Sequence, residues 1–365
     1  FSPNRAILDI LPCFLPENII TIDDSSLSAF ASGLASALRR IRREKIDTAI
    51  DLEGLTRSSS IITYLTGATR RVGYYNFTSE GPYRGRLFTH ELNYNFQHHV
   101  SRMFLALVRA SAADPSQIPL LKEPIADAPL ELPSFTPSQA ETDDVWALID
   151  GQSQGHYPRR LVLINANCSD LLPLRRWPTP SFVELGKRLL AAQSDLGIVV
   201  TGAPSERAEA EKIAAAIGTA PRVISMAGHT TMRQLLTLYG LSELLISNDS
   251  GPCHFAALTP IHVLALFGPE TPILYGPLGR RARCLSAGLA CSPCVNMLNH
   301  RFSPCRDGLC MKAIAVDTVF ATAMDMLRER GCASAGFAST PTAPGPSSTN
   351  HLTLPAKPDS IRPFV

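Results

Sequence analysis

Short runs of consecutive apolar residues alternate along this chain with segments whose apolar residues recur at three- and four-residue intervals. The uninterrupted runs are typical of strands buried on both faces, and the spaced pattern is typical of amphipathic helices. In the first third, the pattern predicts strands over residues 18–22, 48–52 and 71–74. It predicts helices over residues 28–45 and 96–112, and a further helix that starts at a turn formed by residues 54–58 and runs to about residue 65. Strands that alternate with helices predict a parallel sheet with right-handed crossovers.

The same alternation continues in the second half of the chain. The pattern there predicts strands over residues 160–165, 197–202, 223–225, 244–247 and 263–267, and helices over residues 180–193, 205–217, 231–240 and 316–330. This succession predicts a doubly wound α/β unit, a fold that binds ligands beyond the carboxyl ends of its strands.

A proline-rich stretch separates the two halves. Prolines recur between residues 114 and 137 and disfavour regular structure there. A chain of 365 residues is also long enough for two domains. We therefore predict an N-terminal domain over residues 1–113, an interdomain connection over 114–158, a C-terminal domain over 159–330, and a disordered tail over 331–365, which is rich in Pro, Ser, Thr and Ala.

The composition narrows the class of protein. Hydrophobic residues make up 45% of the chain and charged residues 18%, and the formal net charge is only +2. This balance gives no reason to expect a nucleic-acid partner. No apolar run reaches the roughly 20 residues that span a bilayer, and no signal peptide is recognisable. We expect a cytoplasmic protein, with peripheral contact at the inner membrane as a further option, whose natural N-terminus lies upstream of Phe1.

The strongest chemical signal is the segment at residues 247–257, where a predicted strand ends and a helix begins. Successive backbone amides at such a turn suit a diphosphate. Ser250 adds a hydroxyl, Gly251 permits close approach of the backbone, and His254 lies one helical turn further on. Asp249 either orients a sugar hydroxyl or caps the helix. Capping alone explains Asp249 but requires neither Gly251 nor His254.

Two further loops follow strands of the same unit. Asn167 and Ser169 carry polar side chains that suit phosphate oxygens, and Arg175 or Arg176 can neutralise the charge of a leaving diphosphate. A solvated polar loop is the alternative. Glu206 opens the helix after the second strand of this unit; it either accepts hydrogen bonds from a ribose or base, or stabilises the first turn of its helix.

Four of the nine cysteines are clustered: Cys291, Cys294, Cys305 and Cys310. Their spacing could provide a tetrahedral zinc site, and two disulfides or four free thiols are the alternatives. Zinc held by four thiolates has no open position, so a metal here would be structural rather than catalytic.

Together these segments resemble glycosyltransferase family 9, the family of the ADP-heptose:lipopolysaccharide heptosyltransferases. The resemblance rests on the Asn-Asp-Ser-Gly-Pro-Cys-His turn and the Ala-Leu-Phe-Gly-Pro-Glu-Thr-Pro segment, on the Leu-Arg-Arg-Trp-Pro loop, and on Ile-Asp-Leu-Glu-Gly-Leu-Thr-Arg-Ser; these lie at residues 248–254, 265–272, 174–178 and 50–58. It implies a GT-B fold, in which two Rossmann-like doubly wound domains face a cleft, with an N-terminal domain that lacks its first strand.

The resemblance also implies a reaction. It would be an inverting transfer of a heptose or related sugar from a nucleotide diphospho-sugar, such as ADP-heptose, to a lipopolysaccharide-type or other lipid-linked glycan acceptor, without a required metal or cofactor. The resemblance implies that the donor diphosphate is contacted by Ser250, Gly251, His254 and either Arg175 or Arg176. It also implies that Asp249 contacts the donor sugar and that Glu206 contacts the nucleoside. Arg57 would lie near an anionic acceptor.

One feature of the family is missing. Its proposed general base is an aspartate in a Gly-Asp loop after the first strand of the first domain, and no such loop precedes Phe1. An inverting transfer needs a base near the acceptor hydroxyl. Asp51 and Glu53 are the nearest acidic residues after a strand, but we assign the role to neither. A nucleotide-sugar 2-epimerase on the same fold and a sugar-nucleotide-binding protein without catalysis remain as alternative functions.

Overall fold

The computed structural model describes residues 5–54, 56–75, 84–125, 130–153, 157–168, 172–218, 221–296, 299 and 302–335. Within these ranges the chain folds into two α/β units, each built on a sheet of parallel strands. The predicted alternation of strands and helices is therefore confirmed. None of the helices in the same ranges is long and apolar enough to cross a membrane.

The N-terminal unit is built on a small parallel sheet. Its strands are β1 (Thr48–Ile50), β2 (Arg70–Tyr74) and β3 (His90–Leu92), and the helices of this part of the chain are α1 (Arg5–Leu8), α2 (Leu27–Arg43), α3 (Arg57–Leu65) and α4 (Val100–Ala110). The strands lie side by side in the order β1-β2-β3. Their carboxyl ends therefore share one edge of the sheet.

Two elements of this unit differ from the sequence-based prediction. In the segment predicted as a strand, residues 18–22, Asn18 ends a 3-10 turn (Pro16–Asn18) and residues 19–22 lie in irregular backbone. The Arg5 guanidinium donates to the carbonyl of Ile19 in this segment and to that of Pro16 just before it, so a side chain takes the place of a neighbouring strand there. The sequence pattern does not predict β3, because a three-residue strand that contains His90 and Glu91 forms no apolar run.

The C-terminal unit is a larger parallel sheet with helices on both faces. Its strands are β4 (Arg160–Asn165), β5 (Leu196–Val200), β6 (Val223–Ser225), β7 (Leu244–Asn248), β8 (His262–Leu266) and β9 (Ala282–Leu285). The helices of this part of the chain are α5 (Gln139–Ser153), α6 (Thr179–Ala192), α7 (Arg207–Ile217), α8 (Met232–Leu241), α9 (Gly251–Ala256), α10 (Pro272–Tyr275), α11 (Leu309–Lys312) and α12 (Val316–Ala335).

The order of these strands creates a switch point. The order is β6-β5-β4-β7-β8-β9, so the chain builds outward from β4 on one side and then returns to build outward from β7 on the other. Connections that leave neighbouring strands in opposite directions open a crevice at their carboxyl ends, where doubly wound folds bind ligands. The crevice lies between β4 and β7.

The core explains why these strands are continuous apolar runs. Along β4, Val162 and Ile164 pack into one buried cluster, while Leu161 and Leu163 pack into another on the opposite face. Side chains of a strand alternate between the two faces of a sheet. Because helices cover both faces, every position of β4 after its first residue is buried.

Helix α5 is not predicted by the sequence pattern. Val145 and Ile149 are fully buried and belong to the same cluster as α8. Trp146 and Leu148 are partly buried against the same cluster, so the apolar residues of the helix form one run over residues 145–149 instead of recurring at helical spacing. Residues 114–158 therefore include a helix that packs on the C-terminal unit. At the other end, α12 extends to Ala335, and residues 336–365 of the predicted tail lie outside the described residues.

A buried ion pair fastens the carboxyl edge of the small sheet. Asp51 directly follows β1 and accepts a 2.5 Å hydrogen bond from Arg84. Arg84 also donates to Ser59 and to the carbonyls of Thr56 and Tyr74, so that one guanidinium joins the ends of β1 and β2 to the start of α3. Burial raises the pKa of Asp51, although Arg84 opposes the shift.

We predict that Asp51→Ala lowers the free energy of unfolding by about 3–5 kcal/mol, because it leaves the buried Arg84 charge without its partner. Asp47→Ala is the matched control, since it removes an exposed carboxylate just before β1. This control should change the free energy of unfolding by no more than about 0.5 kcal/mol. Urea denaturation followed by circular dichroism measures both. Equal losses in the two variants would contradict the role given to the ion pair.

Candidate functional site

A cavity of about 370 Å³ opens at the switch point of the large sheet. Its size is in the range of small-ligand sites. The loops after three neighbouring strands form much of its wall, which includes Asn165, Asn167, Thr201, Gly202, Glu206, Ser250 and Gly251. The structure thus brings Asn167, Glu206, Ser250 and Gly251 together, as the sequence predicts. Ser169, which belongs to the same prediction, lies outside the described residues.

The side chain of Asn248 holds three segments together at this edge. Its Nδ2 donates to the carbonyl of Ala166 at 2.8 Å, and its Oδ1 accepts from the backbone amide of Trp177 at 2.9 Å. Asn248 is fully buried, so no water replaces these bonds. The end of β7, the loop after β4 and the segment before α6 are therefore fixed relative to one another.

The turn between β7 and α9, residues 247–254, is ordered by its own hydroxyls. Ser250 Oγ lies 3.1 Å from Ser247 Oγ and 3.2 Å from the carbonyl oxygen of Asn248. Ser250 is nearly buried, whereas Gly251 and His254 are exposed. Helix α9 has only six residues. The groups that the turn presents to the cavity are therefore its backbone and its exposed residues, since so short a helix contributes little dipole.

Two polar side chains at this edge have hydrogen-bond capacity that the protein leaves unused. No acceptor within the described residues lies within hydrogen-bonding distance of the buried Asn167 Nδ2 or of the buried Arg175 Nε. Arg175 Nη1 lies 3.5 Å from a carboxylate oxygen of Asp249. Buried donors are almost always satisfied in native proteins. Asn167 lines the cavity at the switch point, and Arg175 lies beside the β7–α9 turn, so both donors are at the carboxyl edge of the sheet.

The structure shows which of the two arginines, Arg175 or Arg176, lies at the β7–α9 turn, a choice that the sequence leaves open. Arg175 approaches the β7–α9 turn through Asp249. Arg176 donates to the carbonyl of Cys168 at 3.1 Å and borders a second, wider cavity of about 820 Å³. Arg175 is therefore the arginine that contacts the β7–α9 turn. Arg176 supports the loop after β4.

His254 carries an uncharged ring near neutral pH. Surrounding protein lowers the pKa of His254, and the nearby His99 and Arg175 lower it further, although the side chain keeps access to solvent. A neutral imidazole both donates and accepts a hydrogen bond. His254 can therefore contact an anionic oxygen without a charge of its own.

Glu206 stabilises its own turn, and its side chain still borders the cavity where it could contact a ligand. Its Oε2 accepts a 2.7 Å hydrogen bond from the backbone amide of Ala203, which closes the turn after β5. The same side chain borders both cavities. A cap and a ligand contact are compatible, because a carboxylate has two oxygens that each accept more than one bond.

On the N-terminal unit, Arg57 is the first residue of α3, which follows β1, and its side chain is exposed. It therefore lies near the carboxyl edge of the small sheet. Asp51 is occupied by Arg84 and is unsuited to take a proton from an acceptor hydroxyl. The role of general base stays unassigned.

The four clustered cysteines are free thiols, and Cys310 is buried while Cys291 and Cys305 are exposed. The thiol of Cys294 lies 3.2 Å from the Ser303 hydroxyl. In the described portion of the chain, no three Cys, His, Asp or Glu side chains are close enough together to hold a metal ion. Zinc at this cluster stays a prediction.

Two residues of the site are absent from the sequence-based assignment. Asn248 is the first residue of the motif at residues 248–254. Its position at the end of a buried strand is the sequence signal that could identify it as a side chain that holds neighbouring loops together. His99 bonds to the carbonyl of Gly276, 177 residues away, and no local pattern predicts that contact.

Known proteins resemble this chain in both sequence and fold. The family model "Glycosyltransferase family 9 (heptosyltransferase)" matches residues 34–302. Lipopolysaccharide heptosyltransferase 2 of Escherichia coli (strain K12) is 30% identical over 115 residues, which cover 31% of this chain and 32% of that protein. Lipooligosaccharide heptosyltransferase 2 of Haemophilus ducreyi is 30% identical over 124 residues. The chain thus spans about a third of the length of these curated relatives.

Two solved structures share most of the fold. The E. coli ADP-heptose LPS heptosyltransferase II has a TM-score of 0.60 at 20% identity and covers 82% of each chain. A glycosyl transferase family 9 protein from Veillonella parvula DSM 2008 has a TM-score of 0.62 at 19% identity, covering 88% of this chain and 86% of that one. This likeness establishes the GT-B arrangement of two α/β units.

We predict that Asn248→Asp destabilises the protein by about 1–3 kcal/mol, because the carbonyl of Ala166 loses its donor inside the core. Asn95→Asp is the matched control: Asn95 is exposed, and its Oδ1 accepts from the Gln97 amide, a bond that Asp preserves. Urea midpoints at constant slope give both values. An unchanged midpoint for Asn248→Asp would show that the tie between the loops is not needed.

Proposed function

The chain belongs to glycosyltransferase family 9, and from that premise we propose that it transfers a heptose or related sugar from a nucleotide diphospho-sugar to a lipopolysaccharide-type glycan acceptor. ADP-heptose is the first candidate donor, since it is named for the E. coli protein of similar fold. We place the sugar donor in the cavity at the switch point of the C-terminal unit. The acceptor would approach from the N-terminal unit, where Arg57 is exposed.

The observation that carries this proposal is the unused hydrogen-bond capacity of Asn167 and Arg175. Both lie at the carboxyl edge between β4 and β7, where a doubly wound fold places a nucleotide diphosphate. A diphosphate supplies several acceptor oxygens and the negative charge that a guanidinium pairs with. The backbone at Gly251 and the neutral ring of His254 would complete its surroundings.

These groups would also assist the chemistry. When the sugar leaves its donor, negative charge develops on the departing nucleoside diphosphate. Arg175 and the backbone amides of the β7–α9 turn would stabilise that charge in place, so that we propose a transfer that requires no metal ion. Asp249, 3.5 Å from Arg175, would hold the guanidinium in position and face the sugar.

We predict that Arg175→Ala weakens the binding of ADP at least tenfold, or about 1.4 kcal/mol, because the diphosphate loses a charged hydrogen-bond donor. Arg159→Ala is the matched control, since Arg159 is an exposed arginine just before β4, at the opposite edge of the sheet. Its affinity for ADP should equal that of the wild type. Isothermal titration calorimetry gives the dissociation constants, and equal affinities of all three proteins would remove Arg175 from the site.

We further predict that the full chain, given ADP-heptose and lipopolysaccharide that lacks heptose, releases ADP and adds one heptose mass to the acceptor, with no loss of rate in EDTA. Mass spectrometry of the acceptor and an ADP-release assay measure both products. ADP binding without turnover would instead support a sugar-nucleotide-binding protein. An altered sugar nucleotide without ADP release would support an epimerase. Absence of ADP binding would overturn the placement of the sugar donor.

A further inference from the structure

A histidine of the N-terminal unit bonds directly to the backbone of the C-terminal unit. His99 is the residue before α4, and its Nε2 lies 2.9 Å from the carbonyl oxygen of Gly276, which ends α10. The same ring caps α4, because Nδ1 lies 3.2 Å from the backbone nitrogen of Ser101 and 2.8 Å from its hydroxyl. One imidazole therefore links a helix of one unit to a loop of the other.

The partners of this ring dictate its protonation. A carbonyl oxygen only accepts, so Nε2 of His99 carries the hydrogen that is donated to Gly276. A backbone amide only donates, so Nδ1 is unprotonated and accepts from Ser101. Burial lowers the pKa of His99, and Arg102 adds to this effect, while the bond to Gly276 opposes it in part. The neutral ring that both partners need is thus the form expected at neutral pH.

Both ends of this link are held in place. On the C-terminal side, a Cβ at Gly276 would come within 2.7 Å of the Pro272 carbonyl oxygen, so the tight end of α10 excludes a side chain there. Beside the link, Tyr94 faces Tyr275, and this proximity together with burial raises the pKa of Tyr94. His99 therefore joins two ordered segments.

The link also lies next to the proposed diphosphate site. His99 and His254 are close enough that a proton on one ring disfavours a proton on the other, which contributes to the lowered pKa of His254. His254 belongs to the β7–α9 turn, and α10 follows the neighbouring strand β8. A change in the distance between α4 and α10 would thus move the N-terminal unit relative to the residues that hold the sugar donor.

We propose that His99 is a positioning residue that sets the alignment of the two units, and hence of acceptor and sugar donor, through its simultaneous bonds to Ser101 and Gly276. This inference rests on the proposed function for its consequence in the reaction. The hydrogen bonds of His99 to Ser101 and Gly276 do not depend on that function. Transfer between two bound substrates is sensitive to alignment, since a displacement of about 1 Å can lower the rate about a hundredfold.

The test uses three variants of the full chain. His99→Asn keeps a strong helix cap but is too short to reach Gly276, so it removes the link alone. His99→Gln is long enough to offer a new N–H to Gly276. His98→Asn changes the adjacent histidine, whose side chain has no hydrogen-bonding partner within the described residues, and serves as the control. Hydrogen exchange, calorimetry with ADP, and the heptose-transfer assay are applied to each.

We expect His99→Asn to speed amide exchange in residues 271–278 roughly two- to tenfold, the range for one lost hydrogen bond, with exchange at the start of α4 unchanged. We expect kcat to fall about 10- to 100-fold while the dissociation constant for ADP stays within about twofold. His99→Gln should recover part of kcat, and His98→Asn should match the wild type.

If amide exchange in residues 271–278 is as slow in His99→Asn as in the wild type, the link between His99 and Gly276 is wrong, whether or not the protein transfers a sugar. Faster exchange combined with wild-type kcat would overturn its role in alignment. Equal losses of kcat and ADP affinity would assign His99 to the sugar-donor site instead. Failure of the wild type to bind ADP or transfer a sugar is a different result, since it counts against the proposed function and leaves the exchange measurement to decide the link.

Discussion

The structure of the site depends on how the buried polar groups at the carboxyl edge of the large sheet are satisfied. Parallel strands end together at this edge, and the backbone groups that are buried there need partners within the protein. The Asn248 side chain provides such partners for two neighbouring segments: its Oδ1 accepts from the backbone amide of Trp177, and its Nδ2 donates to the carbonyl of Ala166. An amide suits this task because it offers both a donor and an acceptor. The crevice between β4 and β7 stays open because its walls are tied to each other below it.

The sequence predicts the elements that long apolar runs create, and it misses those that depend on distant partners. Every strand predicted in the C-terminal unit is confirmed, since burial on both faces forces an uninterrupted apolar run such as residues 161–164. The short strands β3 and β9 lack such runs, and helix α5 has its apolar residues in one run over residues 145–149 without helical spacing. Their residues are placed by neighbours far away in the chain, as Val145 and Ile149 are by α8. Local patterns carry no record of those contacts.

The same division applies to the site. The motif at residues 248–254 and the loop after β4 are visible in sequence because each follows directly on a long apolar run, and in a doubly wound unit that position is the carboxyl edge of the sheet. Which arginine faces the turn depends on the 3-10 turn at Pro173–Arg175, whose geometry no spacing rule supplies. The link from His99 to Gly276 joins the two units and is likewise invisible in sequence. Tertiary structure resolves these choices.

The charges at the turn show how the protein stabilises the guanidinium of Arg175, which would still pair with an anion in the proposed reaction. A buried guanidinium without a partner would cost several kcal/mol, and Asp249 reduces that cost for Arg175. At 3.5 Å the pair is looser than a direct hydrogen bond, so Arg175 keeps unused capacity at Nε. A diphosphate can then add its oxygens to Arg175 without displacing Asp249. The rings of His254 and His99 have lowered pKa values, so near neutral pH they add no positive charge beside Arg175. In the proposed reaction, that guanidinium would face the diphosphate as it leaves.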